Sequence, residues 1–288
     1  MNGIEILGVY KNYGATKALK GVSLTFEEGK IYGLLGRNGA GKTTLLNIIS
    51  GRLFSSSGEV KIDGLNPIES DEALCKVYMM GDKNLYPESM RVKEAIKWAG
   101  EFLPGFDTGY AHALAKKFSL PLRSKIKALS TGYGSIFKIV LALSTSARYL
   151  LLDEPVLGLD ANHRDLFYRL LLEDFADKGR GVIISTHIIE EVQHIVERVV
   201  ILHNGEILRN ADAEVLMAGS YSITGAAGAV DAYATGRELL GSDSLGGMKT
   251  AYIMGEPPLS LPEHLELGKP DLKRLFIKLT GEKEGNAI

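Results

Sequence analysis

The stretch IYGLLGRNGAGKT (Ile31–Thr43) decides how the rest of the chain is read. Its first five residues are an unbroken apolar run, the pattern of a strand buried on both faces. GRNGAGKT (Gly36–Thr43) then fits G-x-x-x-x-G-K-[ST], and TLLNIIS (Thr44–Ser50) continues with helical spacing. Each residue type in that order has a physical task. Gly36, Gly39 and Gly41 let the backbone turn so that its N–H groups converge on anionic oxygens. A helix starting near Lys42 adds the positive end of its dipole. Lys42 supplies a charge for outer phosphates, and Thr43 a hydroxyl for magnesium. A glycine turn with no function would need neither the strand before it nor the helix after it.

A second phosphate-site element stands downstream. In YLLLDEP (Tyr149–Pro155) a buried-type strand ends on Asp153, where a carboxylate can hold Mg²⁺ directly or through water. Glu154 follows and can polarise an attacking water. Adjacent acids at a strand end are often only a solvated loop; the phosphate loop upstream is what gives this pair its meaning. A histidine, His187, ends another apolar strand in STH (Ser185–His187). Taken alone, such a histidine is more often structural than chemical.

The remaining pattern fits an α/β chain. GIEILGVY (Gly3–Tyr10) and GVSLTF (Gly21–Phe26) alternate like strands, EVKIDG (Glu59–Gly64) and KVYMM (Lys76–Met80) add two more, and GVIIS (Gly181–Ser185) and RVVIL (Arg198–Leu202) close the series. From Val92 to Ala147 the period becomes helical, in VKEAIKWAGEFL, YAHALAKKF and SIFKIVLALSTSA. ANHRDLFYRLLLEDFADKG reads as a helix with glycine at its stop. Strand–helix–strand alternation argues for a mostly parallel sheet covered by helices. The boundaries expected are a nucleotide-binding domain over 1–218, with a helical subdomain over about 85–148, and a small αβ domain over 219–288, where small residues, prolines and the amphipathic DLKRLFIKLTG (Asp271–Gly281) set in.

Composition narrows the function classes. The 288 residues are 45% hydrophobic and 24% charged, an ordinary globular balance. A net charge of −2 with mixed signs gives no basic surface, so nucleic acid is not the expected partner. A single cysteine, Cys75, excludes an intrachain disulfide and a cysteine-based zinc cluster, and is consistent with a reducing cytoplasm. The start shows no signal-peptide pattern. Apolar runs such as FKIVLAL (Phe137–Leu143) are too short to cross a bilayer, so any membrane role is expected from the surface.

GRNGAGKTT, LSTGYGS (Leu129–Ser135), YLLLDEPVLGLD and STH occur in that order. The set resembles the ATP-binding subunit of an ABC (ATP-binding cassette) transporter, over Ile4 to Met217. The LSTGY form and the closing DLKRLFIKLTG are similar, more narrowly, to bacterial exporter ATPases of the bacitracin-exporter and Ytr kind. The resemblance implies a P-loop NTPase-type core of mostly parallel sheet, an antiparallel β portion and an inserted helical subdomain. It implies ATP and Mg²⁺ as ligands. It matches Tyr13 to the aromatic that stacks on adenine, and Gly36, Asn38, Gly39, Ala40, Gly41, Lys42, Thr43 and Thr44 to Walker A. Asp153 takes the place of the Walker B magnesium carboxylate, Glu154 that of the general base, Leu157–Asp160 that of the loop touching the opposite subunit, and His187 that of the switch histidine at the γ-phosphate. Ser130 and Gly132 keep two positions of the signature loop that grips ATP in the opposite subunit.

Two departures stand out against that family. Where it usually has a glutamine after KVYMM, this chain has Gly81, then Asp82; Asp82 is expected to substitute through water at the metal. In the signature, Thr131 and Tyr133 replace a glycine and a glutamine, while Ser130 can still cap the helix and Gly132 still allows close approach. The function expected is ATP hydrolysis that powers a separate membrane permease, in the direction of export, through ATP-driven head-to-tail pairing with a second ATP-binding subunit, at the inner face of the cell membrane. Tyr86 and Trp98 are candidate permease contacts, although helical spacing places Trp98 in the core. The alternatives are a soluble ATPase of the same superfamily, which usually has two cassettes or long coiled coils, a nucleotide-sensing module of low turnover, and a small-molecule kinase, which would not require LSTGY, DEP and STH together.

Overall fold

The computed structural model describes residues 2–281. Residues 282–288, the end of the expected C-terminal domain, lie outside the described residues. The chain divides into two compact units, Met1–His187 with Leu202–Ile207, and Ile188–Ile201 with Leu208–Ile288.

The first unit opens with β1 (Gly3–Tyr13) and β2 (Thr16–Glu27), an antiparallel hairpin that turns at Gly14. Strict alternation from Ile4 and Ile6 would send Val9 outward. A bulge at Gly8, with φ 58°, shifts the register and turns Val9 inward, while Leu7 is exposed. After β3 (Ile31–Leu35) and α1 (Lys42–Ile49), β4 (Ser57–Ile62) completes a three-stranded sheet ordered β2-β1-β4. This is the expected antiparallel portion.

Beyond α2 (Asp71–Cys75) and β5 (Val77–Met80) comes the helical stretch: α3 (Val92–Phe102), α4 (Thr108–Lys117) and α5 (Thr131–Leu143). Then β6 (Tyr149–Asp153), α6 (Ala161–Lys178) and β7 (Gly181–Thr186) close the parallel core, whose order is β5-β6-β7-β3. Every residue of β3, β6 and β7 is buried, as their continuous apolar runs require. The C-terminal ends of β3 and β6 carry the phosphate loop and the acid pair, so parallel pairing through β7 brings the two motifs to one edge.

Trp98 corrects the sequence reading. The buried stripe of α3 is Val92, Ala95, Ile96 and Ala99, and Trp98 lies about a third of a turn away from it. Trp98 is 45% exposed and meets Phe102, 71% exposed, edge to face.

The second unit is αβ in character. It contains α7 (Ile189–Val192), and the chain reaches the rest of it through β8 (Arg198–His203), β9 (Glu206–Asp212) and α8 (Ala213–Ala218). There follow β10 (Ser220–Ala226), α9 (Ala227–Ala234), β11 (Glu238–Leu245), β12 (Met248–Met254), β13 (Leu265–Gly268) and α10 (Leu272–Thr280). Its antiparallel sheet is ordered β11-β12-β10-β13 around Tyr221, Ile223, Val230, Ala251 and Ile253. Of the small residues that mark this segment in the sequence, those of Ala227–Ala234 form α9 and those of SDSL lie in β11. Asp271 caps α10 by accepting from the Arg274 N–H at 2.7 Å, and Leu272, Leu275 and Phe276 form its buried face.

Candidate functional site

Sterics demand the glycines of the phosphate loop. Gly39 and Gly41 have φ of 82° and 108°, and a Cβ on Gly36 would come within 2.6 Å of the Leu202 carbonyl. The loop is braced from the β8–β9 turn: Asn204 and Gly205 both have positive φ, and the Gly205 N–H donates to the Ala40 carbonyl at 3.1 Å. Asn38, Gly39, Ala40, Gly41, Lys42, Thr43, Thr44 and Glu154 line one cleft.

Lys42 folds back over the loop. Its side chain is 6% exposed, and Nζ donates to the Gly36 carbonyl at 2.6 Å and stands 3.8 Å from Glu154 Oε1. Burial draws its pKa below the usual lysine value, against the opposing pull of Glu154 and Asp153.

Thr43 and Asp153, far apart in sequence, meet directly. Thr43 Oγ1 donates to Asp153 Oδ2 at 2.7 Å, and Ser185 Oγ, on β7, donates to Asp153 Oδ1 at 2.8 Å. A hydroxyl oxygen beside a carboxylate oxygen is a hard-donor pair of the kind magnesium takes. Among the described residues no cluster of three or more His, Cys, Asp or Glu is placed to hold a metal. This donor set therefore suits an ion that draws most of its ligands from phosphate and water rather than from a protein cage.

Glu154 sits at a sharp corner. Its φ is 47°, a left-handed conformation that costs a non-glycine residue about 1 kcal/mol or more. The Glu154 N–H donates to the Ser185 carbonyl at 2.9 Å, which pins the corner. The carboxylate accepts from His187 Nδ1 at 2.9 Å and from Thr186 Oγ1 at 3.3 Å. The ends of β6 and β7 thus present an acid and an imidazole as one bonded pair.

The signature stretch is a helix start, as its serine suggests. Ser130 Oγ accepts from the Tyr133 N–H at 3.3 Å and caps α5. Gly132 answers a contact that no local pattern announces: a Cβ there would lie 2.5 Å from the Gly158 carbonyl. Ser135 Oγ donates to the Leu157 carbonyl at 2.7 Å, so this loop is knit to LGLD of the same chain. Ser130 and Thr131 line a cavity with Thr43, Asp82, Asp153 and Glu154. Tyr13 is half exposed at the tip of the β1–β2 hairpin, with Lys11 Nζ 5.2 Å from its ring centre. It lines a separate cleft that also reaches Thr43 and Asp82, without a bond to the phosphate loop. Tyr86 is half-buried, its ring 5.8 Å from that of Phe137.

Sequence reasoning missed Ser185 and Lys138. A serine closing an otherwise apolar strand was a signal for the first. Nothing in the spacing announces the second, whose ammonium reaches the Gly81 and Asp82 carbonyls. A larger cavity of about 760 Å³, walled by Tyr110, Arg148, Asp174 and Arg180, holds none of the residues above. Arg180 spends its donors there on Asp174 and the carbonyls of Leu143, Thr145 and Ala147.

A phosphate loop, a hydroxyl–carboxylate pair and a glutamate–histidine pair at the ends of parallel strands define a nucleotide-hydrolysing cassette. The model of the ABC transporter family matches residues 19–157. The chain is 30% identical over 213 residues to the ABC transporter ATP-binding protein YtrB of Bacillus subtilis, covering 74% of this chain and 73% of that one. It is 32% identical over 209 residues to NatA, an ABC transporter ATP-binding protein of the same organism, covering 69% and 84%. Among solved structures, a dimeric post-hydrolysis state of an ATP-binding cassette bound to ADP and Pi superposes with a TM-score of 0.65 at 25% identity, covering 73% of this chain and 98% of that one. The chain belongs to the ABC transporter ATP-binding proteins. It is an ATP-binding subunit, and its reaction is ATP hydrolysis.

Proposed function

We propose that this subunit pairs head to tail with a second ATP-binding subunit and drives a separate membrane permease in the direction of export. Each ATP lies between the Gly36–Thr44 loop of one chain and Ser130–Gly132 of the other. The hydrolytic part of this reading rests on the Glu154 carboxylate, 2.9 Å from His187 Nδ1 and 3.8 Å from Lys42 Nζ, beside the Asp153–Thr43 pair; the pairing is supported by the likeness to a dimeric cassette.

In this reading Lys42 and the loop N–H groups bind and orient the phosphates, and Tyr13 stacks on adenine. Thr43 and Asp153 would hold Mg²⁺, which when bound would neutralise charge on the outer phosphates; Asp82 would reach the ion through a water. Glu154 accepts a hydrogen bond from a water, aims it in line at the γ-phosphorus and takes its proton as the new P–O bond forms and the bond to the ADP oxygen breaks, releasing ADP and phosphate. His187 holds the Glu154 carboxylate through Nδ1 and turns Nε2 to the transferred group. ATP favours the closed pair because it binds that state better, and hydrolysis removes the preference.

Among the described residues no helix is long and apolar enough to cross a membrane. The permease is proposed as a separate chain, met at the inner face of the cell membrane. Trp98 and Phe102, an exposed aromatic pair on α3, are the surface proposed for it. Residues 219–288 are proposed as an accessory domain. Light scattering of Glu154→Gln with and without Mg-ATP tests the pairing. A dimer only with Mg-ATP is the expected result; a monomer that still binds ATP contradicts pairing between copies.

A further inference from the structure

The loop after β5 is held from outside by a cation on α5. Lys138 lies about two turns into the helix that Ser130 caps, and it is half-buried. Its ammonium donates to the Gly81 carbonyl at 3.0 Å and to the Asp82 carbonyl. These are the first two carbonyls beyond β5. Among the described residues, the hydrogen bonds made to these two positions by side chains go to their main-chain carbonyls. Bonds from a charged donor are the stronger kind, and two on adjacent carbonyls fix the direction of the main chain as well as its position.

The clamp lies where it matters for the reaction. Gly81, Asp82 and Lys138 line the same cavity as Thr43, Asp153, Glu154 and Ser130. The backbone does not call for glycine at position 81. Its φ is outside the left-handed region, and a Cβ would meet Met79 Cε at 3.4 Å and Arg52 Nη1 at 3.5 Å, ordinary contacts. A residue able to reach across the cleft would fit there, and this chain has none. Lys138 approaches the same spot from the opposite wall.

We propose that Lys138 is the positioning residue of this loop, fixing the Gly81–Asp82 main chain against α5 and so holding the wall of the cleft shared with Thr43, Asp153 and Glu154. The inference rests on reading that cleft as the ATP-hydrolysing site. It also joins the two ends of the cavity, because the helix that opens at Ser130 is the one that carries the clamp.

The test compares wild type, Lys138→Met and Lys138→Arg as full chains. Amide hydrogen exchange is followed without nucleotide, and steady-state ATP hydrolysis is measured alongside. Lys138→Met is expected to speed exchange over Gly81–Glu88 about tenfold while α1 and β6 keep their protection. It should lower kcat about tenfold with KM within about twofold, since a displaced wall costs orientation rather than affinity. Lys138→Arg, still able to donate to both carbonyls, should recover most of both losses. Loop exchange and kcat at wild-type values in Lys138→Met overturn the proposal. So does a uniform rise in exchange across the whole unit, which marks a packing role only. If Lys138→Met does not fold, Lys138→Leu, which likewise has no donor, is read the same way. Absence of ATP turnover in the wild type would defeat the reading of the cleft, while the nucleotide-free exchange still decides the clamp.

Discussion

Glu154 Oε1 and His187 Nδ1 are 2.9 Å apart, joining the ends of two adjacent parallel strands. The bond fixes which imidazole nitrogen carries a proton toward the carboxylate, and leaves Nε2 for another partner. A glutamate in a left-handed corner, pinned by its own N–H to Ser185, has few other places to point. The corner and the imidazole together fix where the acid points, as the proposed in-line activation of a water requires.

Ser185 is fully buried, and its hydroxyl is one of two that hold Asp153. Ser185→Ala leaves Asp153 Oδ1 without that donor, at a cost of about 1–3 kcal/mol in folding stability. The freed carboxylate should also raise the Mg²⁺ concentration needed for half-maximal ATP hydrolysis. Urea denaturation and a magnesium titration of turnover measure the two effects. A variant unchanged in both would remove Ser185 from the site.

Gly132 tolerates no side chain against the Gly158 carbonyl, with 2.5 Å available. Gly132→Ala must therefore push LSTGY and LGLD apart, at about 1–3 kcal/mol. The phosphate loop is untouched, so fluorescent-nucleotide binding to the isolated chain should stay near wild type while the proposed ATP-dependent pairing weakens. Pairing at wild-type strength would show that the two loops can part freely.

Asp63 predicts part of the acid limb of stability. Burial raises its pKa, but the Tyr149 hydroxyl, the Gly3 N–H, Lys76 and Arg148 outweigh that and hold the carboxyl below the usual aspartate value. A lowered folded-state pKa means stability that is fully present above the unfolded value, about pH 4, and is lost as pH falls through the folded one. Asp63→Asn should thus be less stable than wild type at neutral pH, with the gap closing below about pH 4. Thermal melts of both proteins from pH 3 to 7 measure the gap; a gap of constant size across that range would remove Asp63 from the acid response.

The parallel core is legible in the order of residues alone. The runs IYGLL, YLLLD and GVIIS are apolar almost throughout, and a strand covered on both faces is what uses such a run. Gly36, Gly39 and Gly41 announce the phosphate loop because glycine there answers a steric demand. What stays hidden depends on neighbours. The spacing of VKEAIKWAGEFL specifies a stripe, but only the packed helix shows that Trp98 flanks it. The bulge at Gly8, the Gly132–Gly158 contact, the Ser185–Asp153 bond and the reach of Lys138 all join positions whose pairing no local pattern encodes.

The central claim is that Glu154 activates the water. The most direct test is ATP hydrolysis by purified wild type and Glu154→Gln, with nucleotide binding measured on the same samples. The account predicts Mg²⁺-dependent turnover in the wild type, a fall of about 10²-fold or more in Glu154→Gln, and undiminished ATP binding by the variant. Equal turnover in the two proteins, with ATP bound equally well, would contradict it.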